Sequence, residues 1–446
     1  MKSLAVKFIA AFFAFSLLNS PLHCQNTPDY NRIDSLMSLL ESKDKFMGAV
    51  AVNIGGRQVY SNAFGFSDVE KQIKATSKTT YRIGSVSKMF TSVMIYQLFE
   101  EQKLQPDTRL SAFYPEIQNA DKITIRDMLL HRSGIRSVTD DSLYLEWCVK
   151  PRTHAEIVSM ITSYTPVFQP DEKSEYSNSN FILLGYILEN LTGKDYSSNL
   201  EERICRKAGL KTTYYGKPAN TLKNESYSYS FDGINWLKEN ETDMSIPHGA
   251  GAVVSTAEDL VVFSDALFAG KLISESSLQD MTKAEGTYGK GIFPMPFYEM
   301  KGFGHTGGID GFRSVLIHFP SENLSLALCS NAMNYNQNEI LIGILSIIEG
   351  KEYKMPVFTT TVLSADLLKQ FEGIYSSESF PLKLTVKAEG SVLTAQATGQ
   401  SAFPLEAVSE TEFKFDAAGI RIIFLDGEQL NIKQGGMDII MKREKQ

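Results

Sequence analysis

The sequence predicts an α+β fold: an antiparallel β-sheet flanked by helices, a helical subdomain beside it, and a small all-β, barrel-like domain after it. Three observations carry that expectation. Two hairpin patterns lie far apart in the chain, before residue 65 and after residue 310. The stretch between them has largely helical apolar spacing. Past Tyr353 the texture changes to short alternating runs punctuated by glycine.

Taken in order, Lys2 and Lys7 precede the apolar run Phe8 to Leu18, and Asn19-Ser-Pro-Leu-His-Cys24 follows. This is the layout of a secretory signal peptide over residues 1–24, and the run is too short for a good membrane span. The mature chain is expected to be exported, periplasmic or extracellular. Lipidation of Cys24 is the alternative, against which His23 stands, because a lipobox wants a small residue before its cysteine. Gly48–Ile54 and Arg57–Phe64 flank a Gly55-Gly56 turn and read as a β-hairpin. Met89–Phe99 is apolar at helical spacing with no Gly or Pro to break it. Ile125–His131 and Asn180–Leu191 read as helices, the second capped by Ser179 or Asn180 and closed at Gly193. Strands return at Gly311–Pro320 and Leu324–Ser330 around a Ser321-Glu-Asn turn, and a helix from about Asn338 to Gly350 covers them. These elements make up a domain from 25 to 352. In the tail, 353–446, alternating runs such as Leu382–Val386 and Arg421–Leu425 are separated by Gly390, Gly399, Gly419 and Gly427, which suggests a small sheet or barrel.

A chain of 446 residues, 43% hydrophobic, has ample material for a large core and more than one domain. Its net charge of -8 gives no basic stripe for nucleic acid and no polybasic anchor, so a small molecule or a peptide is the expected partner. No stretch after the N-terminal run is long and apolar enough to cross a membrane. Cys24, Cys148, Cys205 and Cys329 form no C-x-x-C pair and read as thiols, the last three buried. The six histidines show no H-E-x-x-H or comparable spacing, so neither a metal nor a cofactor is expected. Oligomeric state leaves no signal.

The chemistry is carried by three motifs in order: Ser85-Val-Ser-Lys88, Tyr176-Ser-Asn178 and His305-Thr-Gly307. Each is weak alone, since Ser42 and Lys45 repeat the first spacing and Tyr60-Ser-Asn62 repeats the second. Order and context separate them, because only Ser85 opens a long apolar helix. Together they can supply an acylatable serine, two proton carriers and an oxyanion cradle, the parts of a serine acyl-transfer site. No G-x-S-x-G surrounds Ser85, which disfavours an α/β-hydrolase.

In these residues the chain resembles the penicillin-recognising serine hydrolases, in the branch of class C β-lactamases, D-alanyl-D-alanine carboxypeptidases, D-stereospecific aminopeptidases and related esterases. The resemblance runs from about Phe46 to Gly350 and includes Thr124–Gly134, Tyr176–Gly185, Gly249–Asp259 and Gly304–Phe312. It implies a β-lactamase/transpeptidase-like fold, with a tail similar to the lipocalin-like domain some members append. It also implies roles. Ser85 is the nucleophile and Lys88, one helical turn on, its proton acceptor, kept neutral by burial beside Tyr176. Tyr176 is the second proton carrier, and Asn178 orients Lys88 and the substrate. The N–H groups of Ser85 and of Gly308, on an edge strand after His305, Thr306 and Gly307, form the oxyanion hole. His131 is expected to be a structural turn residue, and His154, His248 and His318 structural or surface residues.

Two departures stand out. His305 occupies the place of a lysine that helps hold a terminal carboxylate in penicillin-binding proteins and most β-lactamases. Histidine is mostly neutral at pH 7, so weak recognition of free carboxylates and poor β-lactam turnover are expected. The loop Gln169-Pro-Asp-Glu-Lys lacks the glycine that relatives usually place after the proline. The leading expectation is a secreted serine hydrolase that forms an acyl-enzyme on Ser85 and cleaves amides or esters, in D-residue peptides or cell-wall fragments. A β-lactamase and a carboxylesterase of the same family follow. A non-catalytic module binding peptidoglycan or β-lactams is disfavoured by the completeness of the motifs.

Overall fold

The computed structural model describes residues 29–358 and 361–444, so the signal-peptide and Cys24 expectations lie outside the described residues. The central sheet is built from β1 (Phe46–Ile54), β2 (Arg57–Phe64), β3 (Phe293–Pro294), β4 (Phe303–Ile309), β5 (Phe312–Phe319) and β6 (Leu324–Met333). Their order is β3-β4-β5-β6-β1-β2, antiparallel throughout. Gly55 and Gly56 turn β1 into β2 with φ of 59° and 71°, the left-handed pair that a two-residue hairpin demands. A small hairpin, Tyr229–Phe231 with Trp236–Lys238, joins β6 through Tyr229 and Ala332.

The helices that matter for the site are α1 (Asn31–Ser42), α2 (Ser87–Glu100), α3 (His154–Ser163), α4 (Asn178–Thr192), α5 (His248–Gly251), α6 (Ala257–Phe268) and α7 (Gln337–Ile348). Successive side chains of the central strands face opposite ways, and both faces are covered. Val50, Val52, Ile317, Leu326 and Leu328 pack under α1 and α7. Ala49, Ala51, Leu316, Ala327 and Cys329 face the helical side, where Phe90 of α2 and Phe263 of α6 stack with ring centroids 3.8 Å apart. Each large apolar side chain so buried contributes about 1.5–3 kcal/mol. α2 is buried from Ser87 to Leu98, as expected of a helix apolar all round.

α4 begins two residues earlier than its sequence suggests. Ser177 is the extended residue before it and offers no side-chain cap, while the N–H of Asn178 donates to Ser137 Oγ at 3.0 Å. A tertiary partner thus satisfies the first turn, which no local capping pattern reveals. Gly193, at φ 67°, closes α4 as predicted.

The tail is a closed barrel of eight antiparallel strands: β7 (Gly373–Ser377), β8 (Phe380–Glu389), β9 (Val392–Ala397), β10 (Phe403–Ala407), β11 (Glu412–Phe415), β12 (Ile420–Asp426), β13 (Gln429–Gln434) and β14 (Met437–Arg443). β7 pairs with β14 to complete the ring. Leu384, Val386, Ala395, Phe413, Ile422 and Leu430 fill its interior, and Phe371 stacks on Phe424 at 4.2 Å.

A charge cluster ties the barrel to the sheet. Lys45, buried just before β1, pairs with Glu406 and lies 3.3 Å from Asp416, and Lys414 lies 2.6 Å from Asp416. Removing one member of such a buried set strands the others, so Lys45→Ala is expected to cost about 3 kcal/mol. Urea unfolding followed by tryptophan fluorescence checks this; an unchanged midpoint would show that the cluster contributes nothing. Cys148, Cys205 and Cys329 are free and buried, as expected. Among the described residues no helix is long and apolar enough to cross a membrane.

Candidate active site

Ser85 sits on a single 3-10 turn, Gly84–Val86, that runs into α2. The turn is pressed against β4 so closely that side chains are excluded. A Cβ on Gly84 would lie 2.8 Å from Gly308 O, and one on Gly307 would lie 2.1 Å from Ile83 O. Gly84 also has φ 49°, a left-handed conformation that glycine adopts without strain. Ser314 Oγ on β5 donates to Ile83 O at 2.7 Å and fixes the contact. β4 is not the outermost strand, as the sequence suggested: β3 pairs with Phe303 and Gly304. Beyond them that side of β4 carries no β-pairing among the described residues, and there the Gly307–Gly308 end meets the Ser85 turn.

One turn along α2, Lys88 is fully buried. Its Nζ lies 3.0 Å from Ser85 Oγ, 2.8 Å from Asn178 Oδ1 and 2.8 Å from Ala250 O. Burial holds its pKa well below the usual 10.5. A neutral amine has two N–H bonds and one lone pair. Asn178 Oδ1 and Ala250 O can only accept, so they take the two N–H groups and the lone pair is left facing the Ser85 hydroxyl. Asn178 is held in that orientation by its other end, where Nδ2 donates to Thr139 Oγ1 at 3.0 Å.

Tyr176 precedes α4, with its ring centroid 4.8 Å from Lys88 Nζ. Burial raises its pKa, with the Ser85 hydroxyl opposing, so the phenol keeps its proton at neutral pH. Its ring stacks on His131 at 4.4 Å. His131 Nδ1 accepts from the N–H of Ser177 at 3.1 Å, which puts any proton of the neutral ring on Nε2. Burial, first of all, holds the His131 ring well below the ordinary imidazole range and keeps it neutral. It therefore buttresses Tyr176 and Ser177.

His305, on β4, is also buried, with its ring centroid 4.1 Å from that of Phe293 and 6.3 Å from that of Tyr176. Its pKa is pushed down to about 3 by burial and by Lys88, the Thr306 carbonyl opposing. The ring is uncharged at any physiological pH. Ser85, Asn178 and Gly308 open onto a cavity of about 660 Å³ that also takes in Thr139, Tyr144 and Arg313, and Ser401 of the barrel reaches its rim.

The Gln169–Lys173 departure leaves the backbone in the shape glycine favours. Asp171 takes φ 67°, and Arg132 holds it, with Nε 2.6 Å from Asp171 Oδ1 and Nη2 donating to Asp171 O. A non-glycine residue costs roughly 1–2 kcal/mol in that conformation, of which an exposed pair such as Arg132 with Asp171 returns at most about 1 kcal/mol. Sequence reasoning missed Ser137, Thr139 and Ala250. Ala250 acts through its carbonyl, and its only signal was its place within Gly249–Asp259. His318 is structural, as expected, with Nδ1 2.8 Å from Ser325 Oγ and its ring stacked on Phe268. His154 is an exposed surface residue and His248 is buried in the fold, as expected, and the two meet around Glu189 on the helical side.

Comparison with known proteins agrees with this geometry. The family profile described as Beta-lactamase matches residues 37–344. The chain is 28% identical over 250 residues to the teichoic acid D-alanine hydrolase of Staphylococcus aureus, a match spanning 56% of this chain and 57% of that protein. Among solved structures, a D-stereospecific amidohydrolase from Streptomyces sp. is similar at TM-score 0.62 and 26% identity, covering 73% of this chain and 100% of that one. An octameric penicillin-binding protein homologue from Pyrococcus abyssi shares the fold at TM-score 0.64 and 22% identity over 93% of this chain and all of its own, a span that takes in the barrel. With motifs, sheet order and profile in agreement over the same residues, the chain belongs to the beta-lactamase family of hydrolases.

Proposed function

We propose that this protein is an exported serine hydrolase that forms an acyl-enzyme on Ser85 and cleaves amide or ester bonds in D-aminoacyl or cell-wall-derived substrates. In this reading residues 1–24 are a signal peptide, 25–352 the catalytic domain and 353–446 the appended barrel. The observation that carries it is the Lys88 amine, whose two carbonyl partners leave its lone pair to Ser85. Ser85 Oγ attacks the carbonyl carbon as its proton passes to Lys88. The oxyanion is held by the N–H groups of Ser85 and Gly308, each such donor worth about a hundredfold or more in rate. Collapse expels the leaving group, protonated through Tyr176, and water activated by the same pair releases the acid and restores Ser85.

A fluorophosphonate probe tests the chemistry without a known substrate. Phosphonylation of Ser85 with loss of fluoride is expected, seen as one adduct by intact mass and mapped to the Ser85 peptide. No adduct would favour a binding module.

The substrate class follows from His305. An uncharged imidazole offers no permanent cation to a free carboxylate, whereas a D-alanyl ester or amide, like the group removed by the Staphylococcus aureus relative, has none beside its scissile bond. His305→Lys is expected to raise kcat/KM for carboxylate-terminated peptides and β-lactams about tenfold over uncharged analogues, the size of one charge-assisted hydrogen bond. Unchanged selectivity in steady-state assays would remove His305 as the determinant.

A further inference from the structure

We propose that His154, Glu189 and His248 form a zinc-binding site on the helical side of the fold, away from Ser85. One ligand atom from each of the three lies within 4.8 Å of the others. His154 Nδ1 is 3.5 Å from Glu189 Oε2, and His248 Nε2 is 3.4 Å from Glu189 Oε1. These separations are longer than good hydrogen bonds, about 2.7–3.2 Å. Each imidazole faces its own oxygen of the Glu189 carboxylate, at close to the roughly 3.4 Å that separates adjacent ligands of a tetrahedral ion with bonds near 2.1 Å. Two imidazoles and a carboxylate are a zinc donor set, whereas magnesium and calcium take oxygen ligands.

The site is built rather than accidental. His248 is 3% exposed and its Nε2 is aimed at Glu189. Gly185 on α4 makes room for that imidazole, since a Cβ there would lie 2.5 Å from Nδ1. Glu189 Oε1 accepts from the N–H of Tyr196 at 2.7 Å, which fixes the carboxylate. Tyr186 stacks on the His154 ring at 3.8 Å, which fixes the third ligand. Such supporting contacts orient the ligands of real metal sites. His154 is half exposed, so the fourth position is open to water. The ligands come from α3, α4 and α5, and a zinc ion there would clamp the three helices together. α4 also begins at Asn178, and α5 carries the Ala250 carbonyl that receives Lys88.

The test is equilibrium dialysis of the chelator-stripped full chain against zinc chloride, with bound metal read by mass spectrometry and melting temperature recorded with and without zinc. One zinc per chain is expected, with a higher melting temperature. His154→Ala, at an exposed position, and Glu189→Gln are expected to weaken binding at least about tenfold and to lose the thermal shift. No zinc bound by the stripped protein would overturn the site. So would full affinity in a folded His154→Ala variant, which would place the ion elsewhere.

Discussion

Replacing Ser85 with alanine is expected to lower the turnover of every substrate by at least about 10⁴-fold, because the step that forms the acyl bond loses its only oxygen. The fold should not notice. Ser85 is half-buried on a short turn, and without it Lys88 keeps both carbonyl partners, Asn178 Oδ1 and Ala250 O. The melting temperature is therefore expected to stay where a neutral surface change would leave it, within about 0.5 kcal/mol. Fluorophosphonate labelling must disappear with activity. Hydrolysis that survives in the folded variant would put the chemistry on another residue, and parallel kinetic and thermal measurements on one preparation distinguish this from a misfolded sample.

Much of that site could be read in the sequence because its parts obey local rules. Ser85 and Lys88 are one helical turn apart on a run that stays apolar through Phe99, so their common face follows from period alone. The strands were legible for the same reason: Val50 and Val52 alternate with Ala49 and Ala51, and Gly55-Gly56 marks the turn. What escaped depends on contacts between distant segments. The start of α4 is set by Ser137, forty-one positions away. The barrel-like tail was expected, but the strands that close it, paired through Tyr375 with Arg443 and Ser376 with Lys442, lie too far apart in the chain for local alternation to match them. Ala250 contributes a carbonyl, which every residue has, so its side chain could not announce it. His154, Glu189 and His248 show no metal-ligand spacing because three separate helices bring them together.

Lys88→Met is expected to remove about 10³–10⁴-fold of the acylation rate, the contribution of a positioned general base. It should also change how stability depends on pH, and that second effect tests the protonation state directly. An unfolded lysine titrates near 10.5, and burial holds the folded Lys88 well below that value. Between the two pKa values the unfolded chain binds the extra proton, so wild-type stability climbs with pH across that window. The slope approaches about 1.4 kcal/mol per pH unit, and the gain is complete only above 10.5. As pH falls from 10.5 toward the folded pKa that stability is lost, and below the folded pKa both states carry the charge and the dependence ends. The methionine variant has no such group, while every other titrating residue is shared. The wild-type-minus-variant difference from urea unfolding is therefore expected to grow as pH is raised from about 8 to about 10. A flat difference would mean that Lys88 is charged in the fold with an ordinary pKa, and its lone pair could then not accept the Ser85 proton.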